Sequence, residues 1–492
     1  MVLISSSYSS QSRPVLEGLL GGVSAAHPLA VAAGQELLQA GGSAVDAAIA
    51  AQAVLCVVAP DACGLGGDML ALVHRPGGHP VAINAAGAAP AAMTTVSSDG
   101  ADSITVPGIV DGWSRMSEQW GRVSLARCLE PAIRVARGGF RVTEALAATV
   151  ASQRSRLLDG GAASWALLGL LPGEPFVQTE LARVLETIGR EGGRAYYESS
   201  IARAIAGAVQ ALGGALSLAD LAGHRAEIRA PNMTRFCGLS LATQPPMTQG
   251  VLLSMALNGM ERLGPIPEGL GDHVGIELTE AAFAYRDRAG EGEALLAEDL
   301  PVDFGRAQLR GGPRAYLHTA GVAVSDRDGM TVSSLVSVFD SFGSAVFVPE
   351  CGFTLNNRAG GFTAGPNAAA PGKRPVHTLA PALMILENGA LALATPGADG
   401  QVQTLLQVIA ALFRDGLDLA QAIAKPRWRS EGGALLIEQS HPGMARLEAL
   451  GHLVKPLPDG DMRFGAVVCA GHVQGAPLAV SDWRRHTWSG VA

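Results

Sequence analysis

The sequence predicts an α+β fold in which helices cover layered β-sheets. Of the 492 residues, 48% are hydrophobic and 16% are charged, which supplies enough apolar material for a large core. Helical and strand-like segments alternate along the chain, without an internal repeat of roughly 20 to 50 residues. Beyond residue 318 strand-like segments become more frequent. These three observations together favour sheets packed against helices.

The N-terminal region predicts two helices and then two strands. The segment HPLAVAAGQELLQAGG ends in a glycine stop, and Ser43 is placed to cap a second apolar helix that ends near Val58. The segment DMLALVHRPGGHPVAINAAG then has the pattern of a strand, a Pro-Gly-Gly turn and a second strand.

The rest of the chain is helical at first and later rich in strands. Helical periodicity dominates from about residue 124 to residue 225, and two more helices are predicted after QPPMTQG and at DHVGIELTEAAFAYRDRA. The segment GVAVSDRDGMTVSSLVSVF predicts two strands joined by a turn at 326–329, which Asp326 and Asp328 are expected to shape. Further strands are predicted at GSAVFV, ALMIL and ALALAT, and a helix at VQTLLQVIAALFRDG.

Composition excludes several classes of function. The net charge of -8 and the pI of about 5.8 provide no positive field for nucleic acid. The first residues lack the pattern of a secretory signal, and the apolar stretch AVDAAIAAQAVLCVVAP is too short to span a membrane. Six scattered cysteines without a Cys-x-x-Cys pair indicate reduced thiols rather than disulfides or a zinc site. We therefore expect a cytoplasmic protein with no nucleic-acid or membrane partner, no cofactor and no metal.

Thr319 stands at the start of a predicted strand, within LHTAGVAVSDRDG. A threonine hydroxyl becomes a nucleophile when a base removes its proton, and the residue's own α-amine is such a base once the preceding peptide bond is cut. This chemistry requires small neighbours and donors for the oxyanion, and Ala320 and Gly321 meet the first requirement. The local alternative is a threonine that merely favours β geometry.

Motifs along nearly the whole chain resemble those of the γ-glutamyltranspeptidase family of N-terminal nucleophile hydrolases. Before Thr319 they are AAHPLAVAAGQELLQAGGSAVDAAIAAQAVLCVVAP, CGLGGDMLALV, VPGIVDGWSRM, ADLAGHRAEIRAP, QPPMTQG and EAAFAYRDR. After it they are SFGSAVFVPECGFTLNNRAGGF, PGKRPVHTLAPAL, ATPG and AVSDWR. Within that family, LNNRAGGF, GLGGD and the pair Gln401 and Gln403 are similar to an oxamate amidohydrolase-like branch.

The resemblance implies a four-layer αββα sandwich, made as one precursor that cuts itself. The cut would fall between His318 and Thr319, leaving a large subunit of residues 1–318 and a small subunit of 492 − 318 = 174 residues, 319–492. The two subunits would form one globular domain as a heterodimer, with further dimerisation left open. Thr319 would attack an amide carbonyl, and the acyl-enzyme would be released to water or to another amine.

Three more catalytic positions are implied by the resemblance. Ser337 matches a hydroxyl residue that supports the nucleophile, and its alternative is a structural polar residue on a strand. Gly397 and Ala398 match paired glycines whose N–H groups form the oxyanion hole. Alanine keeps the N–H but resists a positive φ, so the backbone conformation at Ala398 shows whether this turn keeps the shape that paired glycines give. The segment CGLGGD lacks the lysine and spacing of a phosphate loop, so we expect it to pack near the active site.

The substrate-binding positions depart from those of members that act on γ-glutamyl compounds. Those members hold the substrate α-carboxylate with an arginine in the segment matching INAAGAAP and with two serines in the segment matching RPVHTLAP. Here Ala88 stands in place of the arginine, and His377 and Thr378 stand in place of the serines. His377 is therefore either a substrate contact or a packed polar residue.

The positions that bind the substrate α-amino group in those members are also changed. Their asparagine, glutamine and aspartate are replaced by Phe339, Arg358 and Gly361. A cationic arginine is the wrong charge for an ammonium group but suits a substrate carboxylate or an oxalyl-type group. The alternative for Arg358 is a purely structural arginine.

Three functions follow from these residues. The first is a self-processing amidohydrolase that cleaves a small acidic amide through an acyl-enzyme on Thr319. The second is a γ-glutamyl transferase or glutathione hydrolase, against which the altered amine-binding positions count. The third is an inactive relative with a binding or structural role, against which the presence of Thr319, Ser337 and Gly397 counts.

Overall fold

A computed structural model describes residues 11–312 and 319–492 of the chain. Its helices are, in chain order, α1 (Pro28–Gln39), α2 (Ala44–Val58), α3 (Ile109–Trp120), α4 (Leu125–Gly138), α5 (Glu144–Asp159), α6 (Thr179–Glu191), α7 (Arg194–Glu198), α8 (Ser200–Ala211), α9 (Leu218–Gly223), α10 (Gly250–Leu263), α11 (Gly271–Phe283), α12 (Gly400–Phe413), α13 (Leu419–Ala424) and α14 (Met444–Ala449).

The strands of the same residues are, in chain order, β1 (Leu16–Glu17), β2 (Gly21–Ala25), β3 (Asp68–His74), β4 (Val81–Asn84), β5 (Phe140–Arg141), β6 (Pro175–Phe176), β7 (Glu227–Arg229), β8 (Asn232–Phe236), β9 (Leu239–Thr243), β10 (Ala320–Asp326), β11 (Thr331–Ser337), β12 (Phe347–Val348), β13 (Phe353–Thr354), β14 (Ala382–Leu386), β15 (Gly389–Ala394), β16 (Trp428–Glu431), β17 (Ala434–Glu438), β18 (Val454–Leu457), β19 (Val468–Val473), β20 (Ala476–Ser481) and β21 (Trp488–Val491).

Two seven-stranded antiparallel sheets form the centre of the fold. The strand order is β1-β20-β19-β15-β14-β9-β8 in the first sheet and β21-β2-β10-β11-β3-β4-β7 in the second. Each sheet takes strands from before and from after position 319. The segments on the two sides of that position are therefore interleaved within one set of layers.

Side-chain alternation along the central strands divides the core into layers. In β3, Met69, Ala71 and Val73 belong to a core shared with α1 and α2, whereas Leu70 and Leu72 belong to a core between the two sheets. A third core lies between the first sheet and α10, α11 and α12. The order helix, sheet, sheet, helix confirms the predicted αββα sandwich. Because β3 is buried on both faces, its sequence from Met69 to Val73 is a continuous apolar run rather than an alternating one.

Local signals place the first elements as predicted. Ser43 caps α2, where its hydroxyl accepts from the Asp46 N–H while the Asp46 carboxylate accepts from the Ser43 N–H. All fifteen residues of α2 are buried, in keeping with a sequence that is apolar except for Asp46 and Gln52. In the turn between β10 and β11, the Asp326 carboxylate accepts from the N–H groups of Asp328 and Met330, as expected for a turn-shaping aspartate.

The strand predicted at GSAVFV is nearly absent. Only Phe347–Val348 is extended, and it pairs with Phe353–Thr354 in a two-stranded ribbon. Phe342, Gly343 and Ala345 have φ values of 58°, 57° and 60°, a left-handed conformation that a strand does not contain.

None of the helices in the described residues combines the length and the apolar character needed to cross a membrane. All six cysteines are free thiols, and only Cys237 among them is exposed.

Candidate active site

The predicted nucleophile lies immediately before β10, at the end of a central strand. Thr319 is 6% exposed, and its Oγ1 donates to Oγ of Ser337 at 3.4 Å. Ala320 pairs with Val336 in the antiparallel register of β10 and β11, which brings Thr319 opposite Ser337. His318, the other residue of the predicted cleavage pair, lies outside the described residues.

The strand period places a third polar residue beside this pair. Ser337 is paired with Asp68 in the register of β11 and β3. Residues two positions apart on a strand share a face, and Leu335 and Leu70 both belong to the core between the sheets. Ser337 and Asp68 therefore face the space between the two sheets, at one end of the sandwich. Sequence reasoning missed Asp68, whose position just before a continuous apolar strand was the available signal.

Asp68 joins the predicted substrate-binding residues into one cluster. Its Oδ2 accepts from Nε of Arg358 at 2.8 Å and from Nε2 of His377 at 3.1 Å. Nη1 of Arg358 lies 3.4 Å from Oγ1 of Thr378, and the guanidinium carbon lies 4.5 Å from the ring centre of Phe339. The structure thus brings together all four predicted residues, although they come from three separate segments of sequence.

The charges of this cluster follow from burial and pairing. Burial alone would raise the pKa of the Asp68 carboxyl, but the hydrogen bond from His377 and the charge of Arg358 outweigh it and lower that pKa. Burial lowers the pKa of His377 to about 4, and the nearby Arg358 charge adds to the effect. The ring is therefore neutral at pH 7, with Nδ1 accepting from the Leu379 N–H and the proton on Nε2. Asp68 and Arg358 form a charged pair beside a neutral imidazole.

Part of the Arg358 guanidinium has no hydrogen-bond partner. Within the described residues, Nη2 of Arg358 and Oδ1 of Asp68 are buried without a hydrogen-bond partner. Arg358 itself has no exposed surface. The arginine is thus buried and not a surface residue, and it keeps one nitrogen donor unused while its Nε is bound to Asp68.

A cavity of about 410 Å³ adjoins this cluster. It is lined by Phe339 and Gly361, two of the three positions that replace the usual amine-binding residues, and by Asp399, which follows Ala398. Its volume lies in the range that typically holds a small-molecule ligand. Phe339 has a φ of 85°, which is strained for a bulky side chain, and its ring stands over the buried Arg358.

The predicted oxyanion turn has the backbone shape that paired glycines would give. Gly397 has a φ of 123° and Ala398 a φ of 47°, so the alanine adopts the left-handed conformation despite its Cβ. The Gly397 carbonyl accepts from Nη1 of Arg429 at 3.3 Å and from the Gly400 N–H at 2.8 Å. Because the C=O and N–H of a trans peptide point in opposite directions, this anchoring directs the Ala398 N–H away from Arg429.

Gln249 links the predicted oxyanion turn to the cluster of predicted substrate-binding residues. This buried glutamine of the QPPMTQG segment donates from Nε2 to the carbonyls of Thr378, at 2.5 Å, and Ala398, at 2.8 Å. A continuous series of contacts therefore runs from Thr319 through Ser337, Asp68, Arg358 and Thr378 to the turn. Sequence reasoning missed Gln249 and Arg429, because a buried amide and a buried guanidinium carry no recognisable spacing.

The glycines of CGLGGD allow backbones to approach one another closely. A Cβ on Gly66 would lie 2.2 Å from the Thr354 carbonyl oxygen, and one on Gly67 would lie 2.4 Å from that of Ser337. The segment therefore packs against the strand that carries Ser337, and it supplies Asp68 at its end.

An αββα sandwich with a hydroxyl residue at the start of a central strand has the architecture of the N-terminal nucleophile hydrolases. The chain belongs to the gamma-glutamyltranspeptidase family, whose family model matches residues 30–300 and 307–491. It is an enzyme of the N-terminal nucleophile amidohydrolase type, and relatives of this family are made as proenzymes.

Similar proteins include two proenzymes and one solved structure. The chain is 33% identical to the oxamate amidohydrolase proenzyme of Klebsiella pneumoniae subsp. pneumoniae, over 90% of this chain and 92% of that protein. It is 32% identical to the acylase ACY 1 proenzyme of Pseudomonas sp. (strain SE83), over 92% and 90%. The crystal structure of cephalosporin acylase from Bacillus halodurans superposes with a TM-score of 0.89 at 27% identity, covering 100% of this chain and 99% of that one.

Proposed function

We propose that the protein is a self-processing amidohydrolase that uses Thr319 as an N-terminal nucleophile on the amide bond of a small acidic substrate. The observation that carries this proposal is the placement of Thr319 at the start of β10, with its hydroxyl 3.4 Å from that of Ser337 on the inter-sheet face. Cleavage of the bond between His318 and Thr319 would free the α-amine that acts as base, and would yield a heterodimer of large and small subunits.

Each residue of the site has a role in this reaction. The Thr319 amine takes the hydroxyl proton as Oγ1 attacks the amide carbonyl, so that a C–O bond forms. The N–H groups of Gly397 and Ala398 stabilise the oxyanion, and collapse of the intermediate breaks the C–N bond while the protonated amine gives its proton to the leaving nitrogen. Water then attacks the acyl-enzyme by the same route, which regenerates the threonine.

Recognition of an acidic substrate is supported by Arg358. Its unused Nη2 can bind a carboxylate or an oxalyl oxygen, while Asp68 holds Nε and fixes the plane of the guanidinium. Phe339 contacts the guanidinium and lines the cavity, which Arg358 itself does not line, so we propose that the substrate displaces the Phe339 ring on binding. The oxamate amidohydrolase and acylase relatives act on amides, as their names state, which is consistent with this substrate class.

The proposal is tested by measuring ammonia or amine release from a panel of small amides. Each acidic amide is paired with a neutral isostere in which the carboxylate is an amide or ester, and a γ-glutamyl p-nitroanilide is included. We expect turnover of at least one acidic amide, loss of activity in Thr319→Ala, and a rise in KM with Arg358→Gln. Release of p-nitroaniline with no preference for acidic amides would instead support a γ-glutamyl transferase.

A further inference from the structure

A cluster of three potential metal ligands lies outside the active-site residues described above. His273 and Glu277 are one turn apart on α11, so their side chains share a face of that helix. His452 follows α14 and lies 179 positions further along the chain than His273. One ligand atom from each residue falls within 4.8 Å of the other two, and all three side chains are buried.

We propose that His273, Glu277 and His452 form a binding site for a divalent transition metal of the zinc type. Two imidazole nitrogens and one carboxylate oxygen are a donor set that Zn²⁺ commonly takes, with water in the fourth position. The sequence predicted no metal because no spacing rule connects a helix with a turn so far along the chain.

The hydrogen bonds of His273 prepare it to be a ligand. Its Nε2 lies 2.7 Å from the Asp303 carbonyl, which can only accept, so Nε2 carries the ring proton. Nδ1 therefore carries a lone pair, which accepts a hydrogen bond from Nε2 of His452 at 2.8 Å in the absence of metal. A metal-bound histidine typically donates its other N–H to a carbonyl or carboxylate in this way, which fixes the tautomer and the ring orientation.

Metal binding requires small movements of these donors and a change of tautomer in His452, whose ring proton passes from Nε2 to Nδ1 through solvent so that Nε2 can bind the metal. Bonds of about 2.1 Å in a tetrahedral site separate neighbouring ligand atoms by about 3.4 Å, so the two imidazoles move apart by roughly half an ångström and the carboxylate moves inward. In the absence of metal, the N–H···N bond between the two rings holds them near this arrangement.

The ion pair of Glu277 with Arg310 does not exclude the metal. Nη1 of Arg310 donates to Oε2 of Glu277 at 2.9 Å, but it also donates to the Glu277 carbonyl, and Nη2 donates to the Pro301 carbonyl and to the Gln308 side chain. Arg310 therefore keeps acceptors when one carboxylate oxygen turns to the metal. The other oxygen still accepts from the Gln308 N–H.

The three ligands lie on both sides of the proposed cleavage point, so a bound metal would connect the two subunits; this consequence rests on the proposed processing. His273 and Glu277 precede Thr319, whereas His452 follows it. After cleavage the metal would therefore join the large subunit to the small one. It would also hold residues 303–310, which the cluster contacts through the Asp303 carbonyl, Gln308 and Arg310.

Calorimetric titration of chelator-treated full-length protein with Zn²⁺ tests the site, with Co²⁺ absorption as a probe of tetrahedral coordination. We expect one equivalent per chain, and affinity at least 10-fold weaker in His452→Gln and in Glu277→Gln. His79→Gln, which changes an exposed histidine, is the matched control and is expected to bind like the wild type. Circular dichroism verifies that each variant is folded.

The outcomes separate the metal site from the proposed processing. Binding is expected in both the wild type and Thr319→Ala, whereas zinc is expected to raise the urea concentration that separates the subunits only in cut protein. Absence of zinc binding in the wild type, or unchanged affinity in both ligand variants, would overturn the metal site. Failure of the chain to cut itself, with zinc still bound, would refute only the joining of two subunits.

Discussion

The buried pair of Asp68 and Arg358 allows a quantitative test of the site. Asp68→Asn keeps the size of the side chain but removes its charge, which leaves the Arg358 guanidinium fully buried without a counter-ion. We expect this variant to be strongly destabilised and to lose substrate affinity, because the charge that holds the Arg358 guanidinium in place is removed.

The magnitude follows from the geometry of the pair. Nε of Arg358 lies 2.8 Å from Oδ2 of Asp68, which places the charge centres about 4 Å apart and gives an attraction of about 4 kcal/mol at an effective dielectric constant of 20. Breaking a buried pair by removing one partner typically costs about 3–5 kcal/mol, whereas replacing both partners with neutral groups is close to neutral. Asp68→Asn is therefore expected to cost about 3–5 kcal/mol, and most of this is expected to be recovered in Asp68→Asn with Arg358→Met.

Urea unfolding of the four members of this double-mutant cycle measures the coupling. The Thr319→Ala background is used so that each sample is expected to be one intact chain. We expect a coupling energy of at least about 2 kcal/mol between the two positions. Glu186→Gln, which breaks an exposed ion pair with Arg137, is the control and is expected to change stability little. Additive effects of the two substitutions would refute the pairing on which the substrate-binding role of Arg358 depends.

Three other residues give further predictions. Gln249→Leu is expected to lower kcat at least about 10-fold with little change in KM, because it removes the hydrogen bond that holds the Ala398 carbonyl in the predicted oxyanion turn. The control is Gln244→Leu, which changes an equally buried glutamine that donates to two other carbonyls and is expected to alter stability but not kcat. Equal kinetics in the two variants would contradict the role of Gln249 in holding this turn. Ala398→Gly is expected to stabilise the protein by about 1 kcal/mol in urea unfolding with activity retained, since glycine relieves the positive φ. His377 has a pKa of about 4 when folded and 6.5 when unfolded, so the unfolded chain binds the extra proton and stability is lost as the pH falls from 6.5 to 4. His377→Gln is expected to reduce that slope by about 1.4 kcal/mol per pH unit, and urea midpoints that keep the wild-type slope would contradict the buried neutral ring.

Most helices and strands were accessible from sequence because they depend on local patterns, whereas the four-layer sandwich and Thr319 as nucleophile were implied by the family resemblance, and the role of Thr319 stays a prediction. Ser43 and the glycine stop before it mark the boundary between α1 and α2, and the apolar runs after Asp68 and Thr319 mark central strands. The strand period then places Ser337 on the same face as its partners. The strand prediction at GSAVFV was wrong because its composition favours a strand, whereas Phe342, Gly343 and Ala345 have positive φ.

The contacts that complete the site were not accessible in the same way. Asp68 and Arg358 are 290 positions apart, and Gln249 and Ala398 are 149 positions apart. Only the assembled sandwich brings such residues together, and no local spacing marks a buried polar side chain whose partner lies on another layer. The resemblance to the family supplied Arg358 as a position, but its counter-ion and its burial required the three-dimensional structure.

Intact mass measurement with N-terminal sequencing of the purified protein, beside a Thr319→Ala variant, tests the central claim most directly. The account predicts two fragments in the wild type, the smaller having 492 − 318 = 174 residues and beginning Thr-Ala-Gly-Val, and one uncut chain of 50.4 kDa in the variant. A wild-type chain that stays intact, or a new N-terminus at any other residue, would contradict the assignment of Thr319 as the nucleophile.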